Sequence, residues 1–291
     1  MNLHGIFVPI ATPFDYDGEV YASKLDHNLA KWNKTSVAGY VVCSAVGEGP
    51  LLSLEEQRRV FALAAKFSAP DKLLICGASA PGVRETVRRI AIAAELGYRA
   101  ALVSAPAVYP LQLGNAASRA LYFSAVADQS PIPTIIDSTG EAELDSATAA
   151  RLSAHPNIIG LRDGSGDRAR IAAAVAAAKP AFQVLSGVAS TLADTLAAGA
   201  SGAIADFANA APYALITIWE AHRLRESDAA LDWQCRLTPA DKLVTERYGI
   251  AGLKYAMDVN GYFGGPVRLP LAGIGPQARR EIEKALCDLK G

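Results

Sequence analysis

The sequence predicts an α/β protein, a (β/α)8 TIM barrel with a C-terminal helical extension. Three observations carry that expectation. Short apolar runs without polar alternation recur eight times, as expected of strands buried on both faces. Between successive runs lie segments with helical spacing and helix-ending signals, and strict β-α alternation implies a parallel sheet with right-handed crossovers. No Gly-x-Gly-x-x-Gly follows any run, which removes the main signal for an open dinucleotide-binding sheet and leaves the closed barrel.

The elements follow in order. Ile6–Ile10 is the first strand, and Leu25, Leu29 and Trp32 share one face of the helix after it. Tyr40–Cys43 is the second; Ser53-Leu-Glu-Glu56 is a capping box opening a helix with Val60, Leu63 and Phe67. Leu73–Cys76 leads to a helix with Val87, Ile90 and Ala94 that stops at Gly97. Ala100–Val103 and Thr134–Ile136 are the fourth and fifth strands, and Asp145 caps the helix holding Leu152. Ile158–Leu161 is the sixth; it runs into Arg162-Asp163, a Gly164-Ser-Gly166 turn, and Asp167, placed to cap the Ala-rich helix over 171–178. Phe182–Leu185, a helix over 192–198 stopping at Gly199, and Gly202–Ala205 complete the series. Beyond Pro212 only helices are expected. Residues 1–222 read as the barrel, and 223–291 as helices packed on it in one structural unit.

Composition narrows the function. The formal net charge of −1 argues against a nucleic-acid or anionic-membrane surface. No apolar run has the length of a membrane span, and no signal-peptide pattern opens the chain. Cys43, Cys76, Cys235 and Cys287 are widely spaced and read as reduced thiols, hence a cytoplasmic protein. No Cys-x-x-Cys, His-x-x-x-His or EF-hand spacing occurs, so neither a metal nor another cofactor is expected.

Barrel active sites lie on the loops at the C-terminal strand ends. Those positions supply Thr12, the Ser44-Ala45-Val46-Gly47-Glu48 turn, Ser79, Tyr109, Asp137, Thr139, Arg162, Asp163, Ser186, Asp206 and Asn209. The lysines avoid them. None lies between Lys72 and Lys179, the span holding strands three to six. Lys72 and Lys179 precede their strands, and Lys24, Lys31, Lys34, Lys66, Lys242, Lys284 and Lys290 fall in helices or the extension. Only Lys254, folding back over the mouth, could bring an amine there. His4, His27, His155 and His222 also precede strands or lie in helices.

Taken together, Gly5…Ala11-Thr-Pro-Phe14, Gly47-Glu48, Leu54-Glu-Glu56, Gly97…Ala101-Leu-Val103, Ile159-Gly160…Ser165-Gly-Asp167, Gly187, Gly202…Asn209…Pro212, Lys254 and Arg268-Leu-Pro-Leu271 resemble the dihydrodipicolinate synthase / N-acetylneuraminate lyase family of Schiff-base aldolases. The resemblance implies a (β/α)8 barrel with C-terminal helices and a homo-oligomer, a tetramer or dimer. It also puts the family's catalytic parts on residues of another kind. The Schiff-base lysine falls on Arg162, whose guanidinium stays protonated and offers no nucleophilic lone pair. The proton-shuttling tyrosine of strand five falls on Asp137. The carboxylate-gripping Thr-Thr pair falls on Ala45-Val46, and no arginine stands beside Thr139-Gly140. The Tyr-Tyr pair after strand four becomes Ala107-Val108, with Tyr109 one position displaced.

Two readings of Arg162 stay open. Strands five and six are neighbours, so Arg162 and Asp137 could form a bidentate ion pair; alternatively Arg162 clamps a substrate carboxylate or phosphate. A minor reading gathers Asp137, Glu48, Asp163 and Asp206 around a divalent cation. The expectation adopted is a family member with a rebuilt site, acting on a small 2-oxo acid or sugar-acid-type ligand without a Schiff base. Arg162, Asp137 and Tyr109 are its catalytic candidates; Ser44, Ala45, Val46, Glu48, Thr139, Ser186 and Asp206 are its binding candidates. The alternative is a non-catalytic sensor or structural partner, and an ordinary Schiff-base lyase is the reading least supported.

Overall fold

The computed structural model of the chain describes residues 1–140 and 143–289; Lys290 lies outside them. Eight parallel strands, β1 (Gly5–Pro9), β2 (Gly39–Val42), β3 (Leu73–Gly77), β4 (Ala100–Ser104), β5 (Thr134–Ser138), β6 (Ile158–Asp163), β7 (Gln183–Ser186) and β8 (Gly202–Ile204), close into a barrel in sequence order, with β1 pairing both β2 and β8. Around them lie α1 (Ala22–Trp32), α2 (Leu54–Phe67), α3 (Val83–Glu95), α4 (Pro110–Leu113), α5 (Ala116–Gln129), α6 (Ser146–Leu152), α7 (Arg168–Ala177), α8 (Leu192–Ala197) and α9 (Pro212–Leu224). Then come α10 (Ser227–Asp241), a π-helical turn over Lys242–Arg247, α11 (Gly249–Val259) and α12 (Pro276–Ala285).

Apolar residues fill both strand faces, as the unalternating runs require. Phe7, Val41, Ile75, Leu102, Ile135, Leu185 and Ile204 form a cluster inside the barrel. Ile6, Val8, Tyr40, Val42, Ile136 and Val184, one residue out of phase, pack outward with Leu25, Leu29 and Trp32 of the helix layer. At Gly202 a Cβ would fall 2.2 Å from the carbonyl oxygen of Gly5, so only glycine permits that strand approach.

The three foreseen caps form: Ser53 and Glu56 close a capping box, Asp145 accepts from Thr148 N, and Asp167 accepts from Ala169 N and Arg170 N. Strands β5 and β6 extend two residues beyond their apolar runs. Backbone pairing continues through Asp137↔Arg162 and Ser138↔Asp163, because a parallel ladder depends on main-chain groups and not on side-chain polarity.

The helices after Pro212 grip the top of the barrel. Gln234 accepts from Ala193 N and donates to Ala189 O, Thr238 Oγ1 donates to Ser190 O, and Asp241 accepts from Ser190 N. Together these bonds hold the β7-α8 connection. Asn260 donates to Ala210 O, and Arg268 N donates to Glu48 on the β2 turn. Among the described residues no helix is long and apolar enough to cross a membrane.

Candidate functional site

The side-chain period of two decides which strand-end residues face the barrel axis. Asp137 stands two residues beyond Ile135, which faces inward, and its Cα partner across the ladder is Arg162. Both therefore project into the mouth, while Asp163, one residue further, turns toward α7 and pairs with Arg170 at 3.3 Å.

Arg162 is 9% exposed and is held from four directions. Nε donates to Ile204 O at 2.8 Å, Nη1 to Asp137 Oδ1 at 2.9 Å, and Nη2 to Gly187 O at 3.2 Å and Asp206 Oδ1 at 3.3 Å. Of the five N–H groups of a guanidinium, one on Nη1 remains. The expected bidentate pair with Asp137 does not form, because Asp137 turns Oδ2 to the Ser104 hydroxyl at 2.8 Å. Burial works against the charged guanidinium, but Asp137 and Asp206 outweigh it and raise its pKa. Asp206 is pushed up by burial, an effect that Arg162 partly offsets.

Beside Arg162 opens a cavity of about 420 Å³, within the usual range for small-molecule sites. Thr139 from the β5 end, Arg162, Gly164 and Ser165 from the β6 turn, Gly187–Ala189 from the β7 turn and Asp206 after β8 line it. The remaining wall comes from the C-terminal helices: Asp241, Thr245 and Glu246. These three were not foreseen. In the sequence Asp241-Lys-Leu-Val-Thr-Glu246 reads as an ordinary exposed helical stretch far from any strand end. The π-helical turn redirects Thr245 and Glu246 over the mouth, and such turns recur at functional sites.

Of the other candidates, several stand elsewhere. Ser186 is one residue out of phase with Leu185, is fully buried, and donates to Val188 O. Glu48 is buried with Lys254, whose Nζ lies 2.5 Å from Oε1, and its Oε2 accepts from Arg268 N. Ser44, Ala45 and Val46 sit on the β2 turn and do not line the cavity; Ala45 is exposed and Val46 is buried. Tyr109, in a left-handed conformation (φ +53°) before α4, is 71% exposed and also outside the cavity wall. The four carboxylates of the cation reading do not converge: Glu48 is taken by Lys254, and Asp163 by Arg170 and Ser165. Lys254 does fold over the barrel, but it is 1% exposed, donates to Pro266 O and lies over the Phe14 ring. No lysine lines the cavity among the described residues.

The Asp241 carboxyl is displaced in the same direction as that of Asp206. Burial raises it from 3.8 to about 6, against the opposing hydrogen bonds from Thr245 Oγ1 and Ser190 N, while Asp206 and Glu246 add to the rise. A carboxyl raised in this way binds more protons folded than unfolded between about pH 4 and 6. Its contribution is therefore favourable below that window and lost as pH rises through it. Asp241→Asn keeps the hydrogen-bonding shape without the charge. Relative to the parent it is expected to gain on the order of 1–3 kcal/mol at pH 8, a gain that shrinks toward pH 4. Melting curves of both proteins across that range test this; a difference independent of pH would refute it.

Comparison with known proteins agrees with the architecture. The profile of the Dihydrodipicolinate synthetase family matches residues 2–289. The chain is 30% identical over 289 residues to a 4-hydroxy-tetrahydrodipicolinate synthase of Acidiphilium cryptum, covering 98% of each chain. It is 34% identical over 243 residues to the enzyme of that name from Xanthomonas axonopodis pv. citri, covering 82% of this chain and 79% of the other. The chloride-inhibited dihydrodipicolinate synthase of Acinetobacter baumannii, solved in complex with pyruvate, superposes with a TM-score of 0.93 at 26% identity over 99% of both chains. The DapA-2 structure from Bacillus anthracis, at 21% identity and a TM-score of 0.92 over 98% of both chains, shares the fold. With its eight-stranded barrel and C-terminal helices, the chain belongs to the dihydrodipicolinate synthetase family and carries that family's lyase fold.

Proposed function

We propose that this is a family member with a rebuilt barrel mouth, which binds and converts a small 2-oxo acid or sugar-acid-type ligand without forming a Schiff base. One observation carries the reading. The residue at the β6 end is an arginine held by two carboxylates and two carbonyls, and no lysine among the described residues lines the cavity. A guanidinium cannot attack a carbonyl, but its remaining Nη1 hydrogen can polarise a ligand oxygen. Asp241, raised to about 6, is suited to take or give a proton near neutral pH. Asp206, on Arg162 at the cavity edge, is the second candidate acid or base.

The extent to which Arg162 is engaged also favours a second reading, in which the arginine is a structural pin and the protein a non-catalytic sensor or partner. We further propose that residues 1–222 and 223–291 act as one unit, because the latter supply Asp241, Thr245 and Glu246 to the cavity. A homo-oligomer is supported by the exposed side chains of Val108, Tyr109, Leu111 and Leu121, and a cytoplasmic location by the four free cysteines.

Incubation with pyruvate and borohydride followed by intact mass measurement tests the chemistry. The mass is expected to stay unchanged; a reduced pyruvyl adduct would sink the reading.

A further inference from the structure

We infer that the end of the barrel opposite the mouth holds a second ligand site, one that takes a molecule with a carboxylate or phosphate head and an apolar body. The site lies at the N-terminal strand ends and is independent of the mouth cavity.

A cavity of about 930 Å³ opens there, at the upper end of the range usual for small-molecule sites. It lies where β3, β4 and β5 begin, and the residue before each of these strands stands in its wall: Lys72, Arg99 and Pro133. Ala65 of α2, Leu73, Leu74, Leu96 and Ile132 add aliphatic surface. The N-terminal face of such a barrel serves stability and not catalysis, so chemistry at the mouth gives no reason for a cavity here.

The charges of the wall specify the head. Among the described residues its side chains carry one carboxylate, Asp71, against the two cations Lys72 and Arg99. The Lys72 side chain is 7% exposed; Nζ donates to Thr35 O at 3.0 Å and pairs with Asp71 Oδ2 at 3.0 Å. The same contact occupies Asp71 and holds its carboxyl below the usual range. Arg99 has no such partner. Its backbone N–H is fixed on Leu74 O at 3.0 Å, and its guanidinium makes no ion pair or hydrogen bond among the described residues. Five N–H donors and a permanent charge thus stand beside aliphatic surface, with the carboxylate of that wall already taken. One hydrogen of Lys72 Nζ also remains. A cationic ligand would meet two like charges, and a neutral one would leave the guanidinium unpaired. A carboxylate or phosphate matches the guanidinium fork with two parallel hydrogen bonds. A bare anion would leave the aliphatic surface in water, whereas an apolar body covers it.

Probes that share one apolar body and differ in the head test this on the full chain, by thermal shift and calorimetry at millimolar concentration. The anions are 2-naphthoate and 2-naphthyl phosphate; the controls are 2-naphthamide, 2-naphthylmethylamine and inorganic phosphate. At least one naphthyl anion is expected to raise the melting temperature while the controls do not, and which of the two binds better identifies the head. Arg99 is exposed and has no side-chain bond to lose, so Arg99→Gln and Arg99→Glu are expected to melt as the parent does. Arg99→Glu is expected to weaken binding of the anion roughly tenfold or more, and Arg99→Gln by less. The inference is overturned if neither naphthyl anion binds, or if the amide, the amine or inorganic phosphate binds as tightly. Binding that is unchanged in both Arg99 variants would place the anion elsewhere on the protein and overturn it too.

Discussion

Arg162→Met is expected to lower the unfolding free energy by about 3–5 kcal/mol, the usual cost of removing one member of a buried ion pair. Asp137 is buried and, among the described residues, would keep only the Ser104 hydroxyl, and Asp206 would lose its ion pair with the guanidinium. Two carbonyls, of Ile204 and Gly187, would lose their donors as well. For a chain of this length such a loss corresponds to a fall in melting temperature on the order of 10 °C. Asp137→Asn retains the shape and an acceptor for Nη1, so its loss is expected to be smaller, about 1–2 kcal/mol. Denaturant unfolding of the two variants decides the matter. A loss below about 1 kcal/mol for Arg162→Met would show that the guanidinium is dispensable to the fold and held only for a ligand.

The second large effect is expected at the clasp between barrel and C-terminal helices. Lys254, on α11, reaches Glu48 on the β2 turn at 2.5 Å and Pro266 O at 2.8 Å, with Phe14 beneath its Nζ at 4.5 Å. Arg268 covers the same ring at 4.4 Å, and its guanidinium also bonds Gly18 O, Leu51 O and Glu56. Burial lowers the Lys254 pKa, and Glu48 partly restores it. Lys254→Met leaves Glu48 without its cation inside the protein, at an expected cost of about 3–5 kcal/mol. Glu48→Gln/Lys254→Met removes both charges. The double variant is expected to lose about 1–3 kcal/mol less than the two single losses added. Strict additivity in that cycle would mean the two side chains do not interact.

The clasp also explains how a motif can be legible while its role is not. Glu48 lies at a strand end, so position alone suggested a ligand contact; in the fold it is sealed against Lys254. Lys254 was the one lysine able to bring an amine to the mouth, and the same contact withholds it. Ser186 was misplaced for a simpler reason. A single residue of phase separates the face of β7 toward the axis from the face toward the helices, and a short apolar run does not reveal that phase.

Taken by itself, the amino-acid order determined the barrel, its eight strands and the caps at Ser53, Asp145 and Asp167, because those depend on local pattern: apolar runs, helical spacing and side-chain oxygens next to free backbone N–H groups. It also brought Arg162 and Asp137 to adjacent strand ends, since consecutive strands of such a barrel are neighbours. Tertiary structure decided the rest. It split the guanidinium among Asp137, Asp206 and two carbonyls, where a bidentate pair was expected, and it closed the cavity with Asp241, Thr245 and Glu246 from beyond the barrel. Both outcomes depend on where a helix bends and which oxygen a neighbour has already taken. Those are contacts between residues remote in the chain, and no local pattern encodes them.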